Sequence, residues 1–89
     1  MPLPSTLAEA VTDILSEMSL EDRRRVREMK REDLIMFHFG WGTGIRNALG
    51  LWGGNDALLR SVCGGELCHP DDASMKIIEA VWDELQKIP

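Results

Sequence analysis

Residues 34–52 read Leu34-Ile-Met-Phe-His-Phe-Gly-Trp-Gly-Thr-Gly-Ile-Arg-Asn-Ala-Leu-Gly-Leu-Trp52, the most apolar stretch of the chain and one laced with glycine. On a helix, Leu34, His38, Trp41, Ile45, Ala48 and Trp52 follow one another at spacings of four and three residues, a heptad-like seam. Ile35, Met36, Phe37, Phe39, Leu49 and Leu51 fill most of the remaining circumference. A helix that is apolar nearly all round belongs in the middle of a domain. The stretch therefore predicts an all-α fold, a compact bundle of four to five helices around a central, glycine-containing helix at about 34–52.

Upstream, Pro2 and Pro4 hold the first residues extended, and Thr6-Leu-Ala-Glu9 fits a capping box. Leu7, Val11, Ile14, Leu15 and Met18 follow at helical spacing, predicting a helix over about 6–18. Ser19-Leu-Glu-Asp22 caps a charged second helix reaching about Met29, which has only Leu20, Val26 and Met29 to bury and so lies outside. Lys30 to Asp33 reads as a bend. Downstream, Gly53-Gly-Asn-Asp56 stops one helix and caps the next, a short one over about 56–62 ended by Gly64-Gly65. The last helix starts at Pro70, with Asp71 and Asp72 in its first turn, where the macrodipole favours acids. Its buried face is Met75, Ile77, Ile78, Val81, Trp82, Leu85 and Ile88. Strand signals and internal repeats are absent.

The 89 residues make one domain, 1–89. A chain this short buries only about 60–65% of the surface it exposes when unfolded, so a pair interface is an expected supplement and a homo-oligomer the expected state. The formal charge is −5, from 15 acids against 10 bases. That excludes a general duplex nucleic-acid binder, which needs a net basic face. Six of the bases lie between Arg23 and Arg31, but Glu21, Asp22 and Glu28 sit among them, as on a solvated helix face with pairs such as Glu21–Arg25. No apolar run approaches the roughly 20 residues of a membrane span, and MPLPSTLAEA has no signal-peptide core. The expectation is a cytoplasmic protein, without membrane contact, whose Cys63 and Cys68 are reduced thiols.

Glycine inside a helix costs about 1 kcal/mol relative to alanine, so Gly40, Gly42 and Gly44 together cost about 3 kcal/mol. Three arrangements offset such a loss. The helix breaks at a Gly-rich turn, a neighbouring helix packs into the groove left at Gly40 and Gly44, or a ligand approaches the bare backbone. The third draws on the neighbours: Arg46 is a forked cation suited to phosphate or carboxylate, Asn47 both donates and accepts, and Trp41 or Trp52 offers a ring to stack on. With His38 these make the candidate ligand-binding set: His38, Trp41, Arg46, Asn47 and Trp52. The competing reading of Arg46 is an internal ion pair, for which Asp71 and Asp72 are the candidate acids, and that of His38 is a hydrogen-bonded core residue.

No catalytic constellation is legible, so neither catalytic residues nor a cofactor are assigned. Cys63, Cys68 and His69 form C-x4-C-H, but a zinc site needs a fourth ligand and no second Cys/His pair follows. No metal is expected.

The patterns H-F-G-x-G-x-x-I-R-N-x-x-G-L-W-x-x-N (38–55) and H-P-D-D-A-S-x-x-I-I-E-A-x-W (69–82) resemble a small bacterial and phage helical domain family of unknown function. The likeness extends to Leu7–Val11 and to Glu32-Asp-Leu-Ile35, nearly the whole chain. It implies a fold and no activity. The functional expectation is a non-enzymatic binding protein for a small anionic ligand or nucleotide, in the manner of phage-type proteins that sequester nucleotide signals against host defence. The alternative is a protein–protein interaction module (an inhibitor, immunity-like or regulatory factor) in which the Gly-rich helix is structural.

Overall fold

The computed structural model describes residues 3–87. Among them are five α-helices and one 3-10 helix, and no strand. In chain order these are α1 (Leu7–Glu17), α2 (Leu20–Glu28), the 3-10 helix Arg31–Phe37, α3 (Trp41–Ala48), α4 (Asp56–Val62) and α5 (Pro70–Gln86). The all-α reading holds. Pro2 and Ile88, assigned roles above, lie outside the described residues.

The centre belongs to a different helix from the one expected. α5 packs against every other helical segment, and its Ala73, Ser74, Ile77, Ile78, Val81 and Leu85 are buried. Its 17 residues span about 25 Å, most of the 33 Å long axis. Pro70 at its start and the His69 imidazole, which accepts a hydrogen bond from the Asp71 amide at 3.0 Å, fix where it begins.

The expected helix over 34–52 is broken into two pieces at His38–Gly40. Its first half is a 3-10 helix, and a period of three changes which side chains go inward. Leu34 and Phe37 turn toward α5 and α2, whereas Met36, and Phe39 three residues on, stand in solvent at 75% and 86% exposure. Ile35 is exposed as well. The carbonyls freed by the break are claimed from α3: the Thr43 hydroxyl donates to Phe39 O at 2.7 Å and Arg46 Nη2 to His38 O at 2.9 Å. Backbone groups that leave a helix need such partners. Of the heptad-like seam, Leu34 and Ile45 are buried, His38 and Trp41 are partly so, and Ala48 and Trp52 are exposed.

α3 ends in a Schellman turn. Gly50 sits at φ +69°, and the Leu51 amide donates back to Arg46 O at 3.0 Å. Asn55 then caps α4 while its side-chain amide donates to Leu49 O at 2.7 Å and to Pro4 O at 3.0 Å. One buried asparagine thus ties the N-terminal segment, the end of α3 and the start of α4 together.

α1 begins as read. The Thr6 hydroxyl accepts from the Glu9 amide at 3.2 Å and donates to its carboxylate at 3.0 Å, and that bond with a second from Ser5 holds the Glu9 carboxyl below its ordinary pKa. On α2, Val26 is buried and Met29 partly so, but Leu20, contrary to expectation, is 82% exposed, at the edge of a hollow it shares with Leu85 of α5. The Trp82 indole donates to Met29 O at 2.8 Å, and Arg31 spans Glu79 and Asp83 at 2.8 and 2.9 Å, fastening the α2 end to α5.

Replacing Asn55 by alanine removes a cap and leaves two buried carbonyls without their donor. Urea denaturation of Asn55→Ala should show a loss of about 2–3 kcal/mol, and a loss below about 0.5 kcal/mol would contradict this role.

Candidate functional site

Arg46 is 4% exposed. Its Nη1 donates to Ser74 Oγ, and its Nη2 to His38 O and Thr43 Oγ1, all at 2.9 Å. Its Nε lies 3.3 Å from Asp71 Oδ1. Asp71, one of the two acids that the sequence offered, therefore neutralises the guanidinium from within, while the buried Nε makes no hydrogen bond. Asp72 is exposed and makes no ion pair among the described residues.

Asp71 gathers more than the arginine. Its Oδ2 is 3.9 Å from His38 Nε2 and 3.7 Å from His69 Nδ1. Two imidazoles and a guanidinium around one carboxylate look like a reaction centre, but His69, Arg46 and the neighbouring Ser74 are committed elsewhere. The Ser74 hydroxyl accepts from Arg46 and donates to Asp71 O at 2.9 Å, so its proton is committed to the backbone. His69 Nδ1 is the acceptor that caps α5. His38 Nδ1 is buried and makes no hydrogen bond. Among the described residues, no three or more His, Cys, Asp or Glu side chains are grouped to hold a metal ion.

Of the five sequence-predicted residues, the structure brings His38 and Arg46 together on Asp71. Trp52 reaches the edge of this cluster, its ring 5.7 Å from that of His69, and is itself 59% exposed. Trp41 and Asn47 do not join. Trp41 is five residues from Arg46 on α3, about 140° around the helix, and Asn47 is about 100° from it. Asn47 consequently faces solvent, and Trp41 packs edge-on against Phe37 at 5.2 Å on the opposite side. Ser74 and Thr43, which complete the arginine's coordination, were not legible in the sequence. Their only signal is position, since Thr43 lies one helical turn before Arg46.

The glycines now separate. A Cβ on Gly42 would stand 3.0 Å from Phe37 O and 3.1 Å from Arg46 Nη1, both held in place by the turn and by Ser74. What lies against this bare backbone is the chain's own arginine. Gly40 and Gly44 have open space where a Cβ would be.

Gly44 lies on the Trp41 side of α3, at a groove between α3 and α1. One hollow of about 340 Å³ is floored by Ile14, Met18, Trp41, Ile45 and Leu49, with Asp13, Glu17 and Asp22 on its rim. A second, of about 210 Å³, shares Met18, Asp22 and Trp41 and runs on toward Val26 and Phe37, with Arg25 at its far end. Two larger depressions flank α1, one of about 580 Å³ lined by Leu3, Pro4 and polar residues of α1, the other of about 540 Å³ against α5 and lined mostly by Leu7, Val11, Leu15 and Ala80.

A known family matches the sequence over residues 3–85. The chain belongs to the DUF6794 family. This is a domain of unknown function. No curated protein and no solved structure matches the chain. Membership in DUF6794 carries no ligand or reaction, and the site must be argued from its residues.

Cys63 and Cys68, expected as free thiols, are joined by a disulfide across Cα positions 6.2 Å apart. They bracket Gly64 to Leu67, a loop short enough to bring them face to face, and such a bond persists in an oxidising compartment and opens in a reducing cytosol. No described helix is long and apolar enough to cross a membrane.

Two glycine variants test the packing of Arg46. Gly42→Ala should lower stability by about 1–3 kcal/mol, because neither neighbour can give way. Gly44→Ala should raise it by about 0.5–1 kcal/mol through helix propensity. Denaturation midpoints that move the same way in both variants would contradict the assignment.

Proposed function

We propose that this domain is a non-enzymatic protein-interaction module. The observation that carries the reading is an inversion of the usual arrangement: the cation best suited to a ligand is enclosed and satisfied, while Ile35, Met36 and Phe39 stand in solvent. Each such side chain forgoes about 1.5–3 kcal/mol of burial, a large sum for a small domain, and exposed apolar clusters rimmed by polar residues characterise docking surfaces. The net charge of −5 suits a basic partner. A second copy of the chain is one partner this reading admits.

The anionic-ligand reading loses its main support, because the Arg46 guanidinium is buried and engaged by Ser74, His38 O, Thr43 and Asp71, and Asn47 and Trp41 point away from it. An enzyme reading has no nucleophile–base pair to rest on, since the Ser74 proton is committed to a backbone carbonyl.

Two measurements test the proposal. The immobilised domain should retain a protein partner from lysate of its native cell, less so at high salt, and Met36→Ser/Phe39→Ser should lose that partner at an unchanged melting temperature. ATP, GTP and cyclic dinucleotides should shift the melting temperature by less than about 1 °C. A shift of several degrees by a nucleotide, or retention of the partner by the double variant, would overturn the reading.

A further inference from the structure

We infer that the groove between α1 and α3 is the docking site for an amphipathic helix of a partner protein, one whose apolar stripe is flanked by lysine or arginine. The inference rests on the interaction reading and adds to Ile35, Met36 and Phe39 a second, separate surface with the chemistry of its partner.

Shape gives the first argument. The floor of Ile14, Met18, Trp41, Ile45 and Leu49 is a continuous apolar strip lying between two helices, with two adjoining hollows along it. Helix-in-groove recognition uses such a strip, seating side chains spaced i, i+3, i+4 and i+7. Gly44 leaves one wall without a side chain, so a partner backbone can come close. An alanine there would fit and would favour the helix, so internal packing does not account for the glycine.

Charge gives the second. Asp13 and Glu17 are four residues apart on α1, like charges on one face, an arrangement that costs about 0.2–0.5 kcal/mol. Glu17 also occupies the last turn of α1, where the macrodipole disfavours an acid, although the Arg23 guanidinium donates to Leu15 O at that end. Among the described residues neither carboxylate makes an ion pair. Asp22 sits in the first turn of α2, which favours it, and Arg25 stands at the far end of the groove. The unpaired charge is thus concentrated at the α1 end of an apolar strip, and the repulsion between Asp13 and Glu17 opposes it. Such a conflict marks functional positions, and cations flanking a bound helix relieve it.

The probe is a fluorescein-labelled 14-residue peptide with leucine at helical spacing and lysine on both flanks, compared with its glutamate-flanked counterpart by fluorescence anisotropy. The lysine peptide should bind wild-type protein and the glutamate peptide at least tenfold more weakly. Gly44→Leu fills the groove without altering charge, and Glu17→Lys reverses its rim. Each should weaken lysine-peptide binding at least tenfold while the helical circular dichroism is retained. Glu66→Lys makes the same charge change on a distant loop and should stay within twofold of wild type. No binding of the lysine peptide, equal binding of both peptides, or wild-type affinity in Gly44→Leu overturns the groove assignment. A cellular partner still lost in Met36→Ser/Phe39→Ser would then leave the interaction reading standing. A wild-type dimer in sedimentation that Gly44→Leu dissociates puts a second copy in the groove and likewise overturns the foreign helix.

Discussion

The guanidinium of Arg46 is the point at which three separately encoded pieces of this chain meet. It ties the turn after the 3-10 helix through His38 O, its own helix through Thr43, and the central helix through Ser74 and Asp71. A charge buried this deeply is tolerated only when it is paired and its donors are satisfied. Here Asp71 pairs the charge and three hydrogen bonds engage its terminal nitrogens, leaving Nε without one, and meeting these needs dictates the neighbourhood. Gly42 has no side chain because the guanidinium and the Phe37 carbonyl occupy that space. The chain must leave helical geometry at His38 for its carbonyl to turn toward the arginine.

From that break follows the distribution of apolar surface. A regular helix through residues 34–52 would bury a seam including Trp52. The 3-10 turn instead sends Leu34 and Phe37 inward and exposes Met36 and Phe39. It also leaves the groove toward α1 open beside Gly44. The features proposed for recognition are thus by-products of how the arginine is housed.

Much of the architecture was legible because it is local. The Thr6 and Ser19 caps, the Gly64 stop and the Pro70 start each announce a boundary through backbone chemistry within a few residues, whereas α3 stops at Gly50 and not at the expected Gly53-Gly54. What misled was periodicity over 34–52, where short runs of apolar residues fit a 3.6 repeat and a repeat of three almost equally well. Only the tertiary partner decides between them. The hub role of α5 was hidden for the same reason, since Ile77, Ile78, Val81 and Leu85 were read as its buried face but not Ala73 and Ser74, nor the number of neighbours converging on it. The candidate site was half legible. Arg46 and Asp71 were paired as one alternative, while the approach of His38 and His69 to Asp71 depends on the turn. The disulfide was missed because the expected compartment argued for thiols.

The most direct test of this account is the solvent exchange of the Arg46 side-chain Nε–H, followed by nitrogen-15 NMR. An enclosed guanidinium beside Asp71 predicts a resolved, slowly exchanging signal that does not move when inorganic phosphate or a nucleotide is added. Exchange as fast as that of the exposed arginines on α2, or a shift on titrating phosphate, would show an open cation and contradict the account.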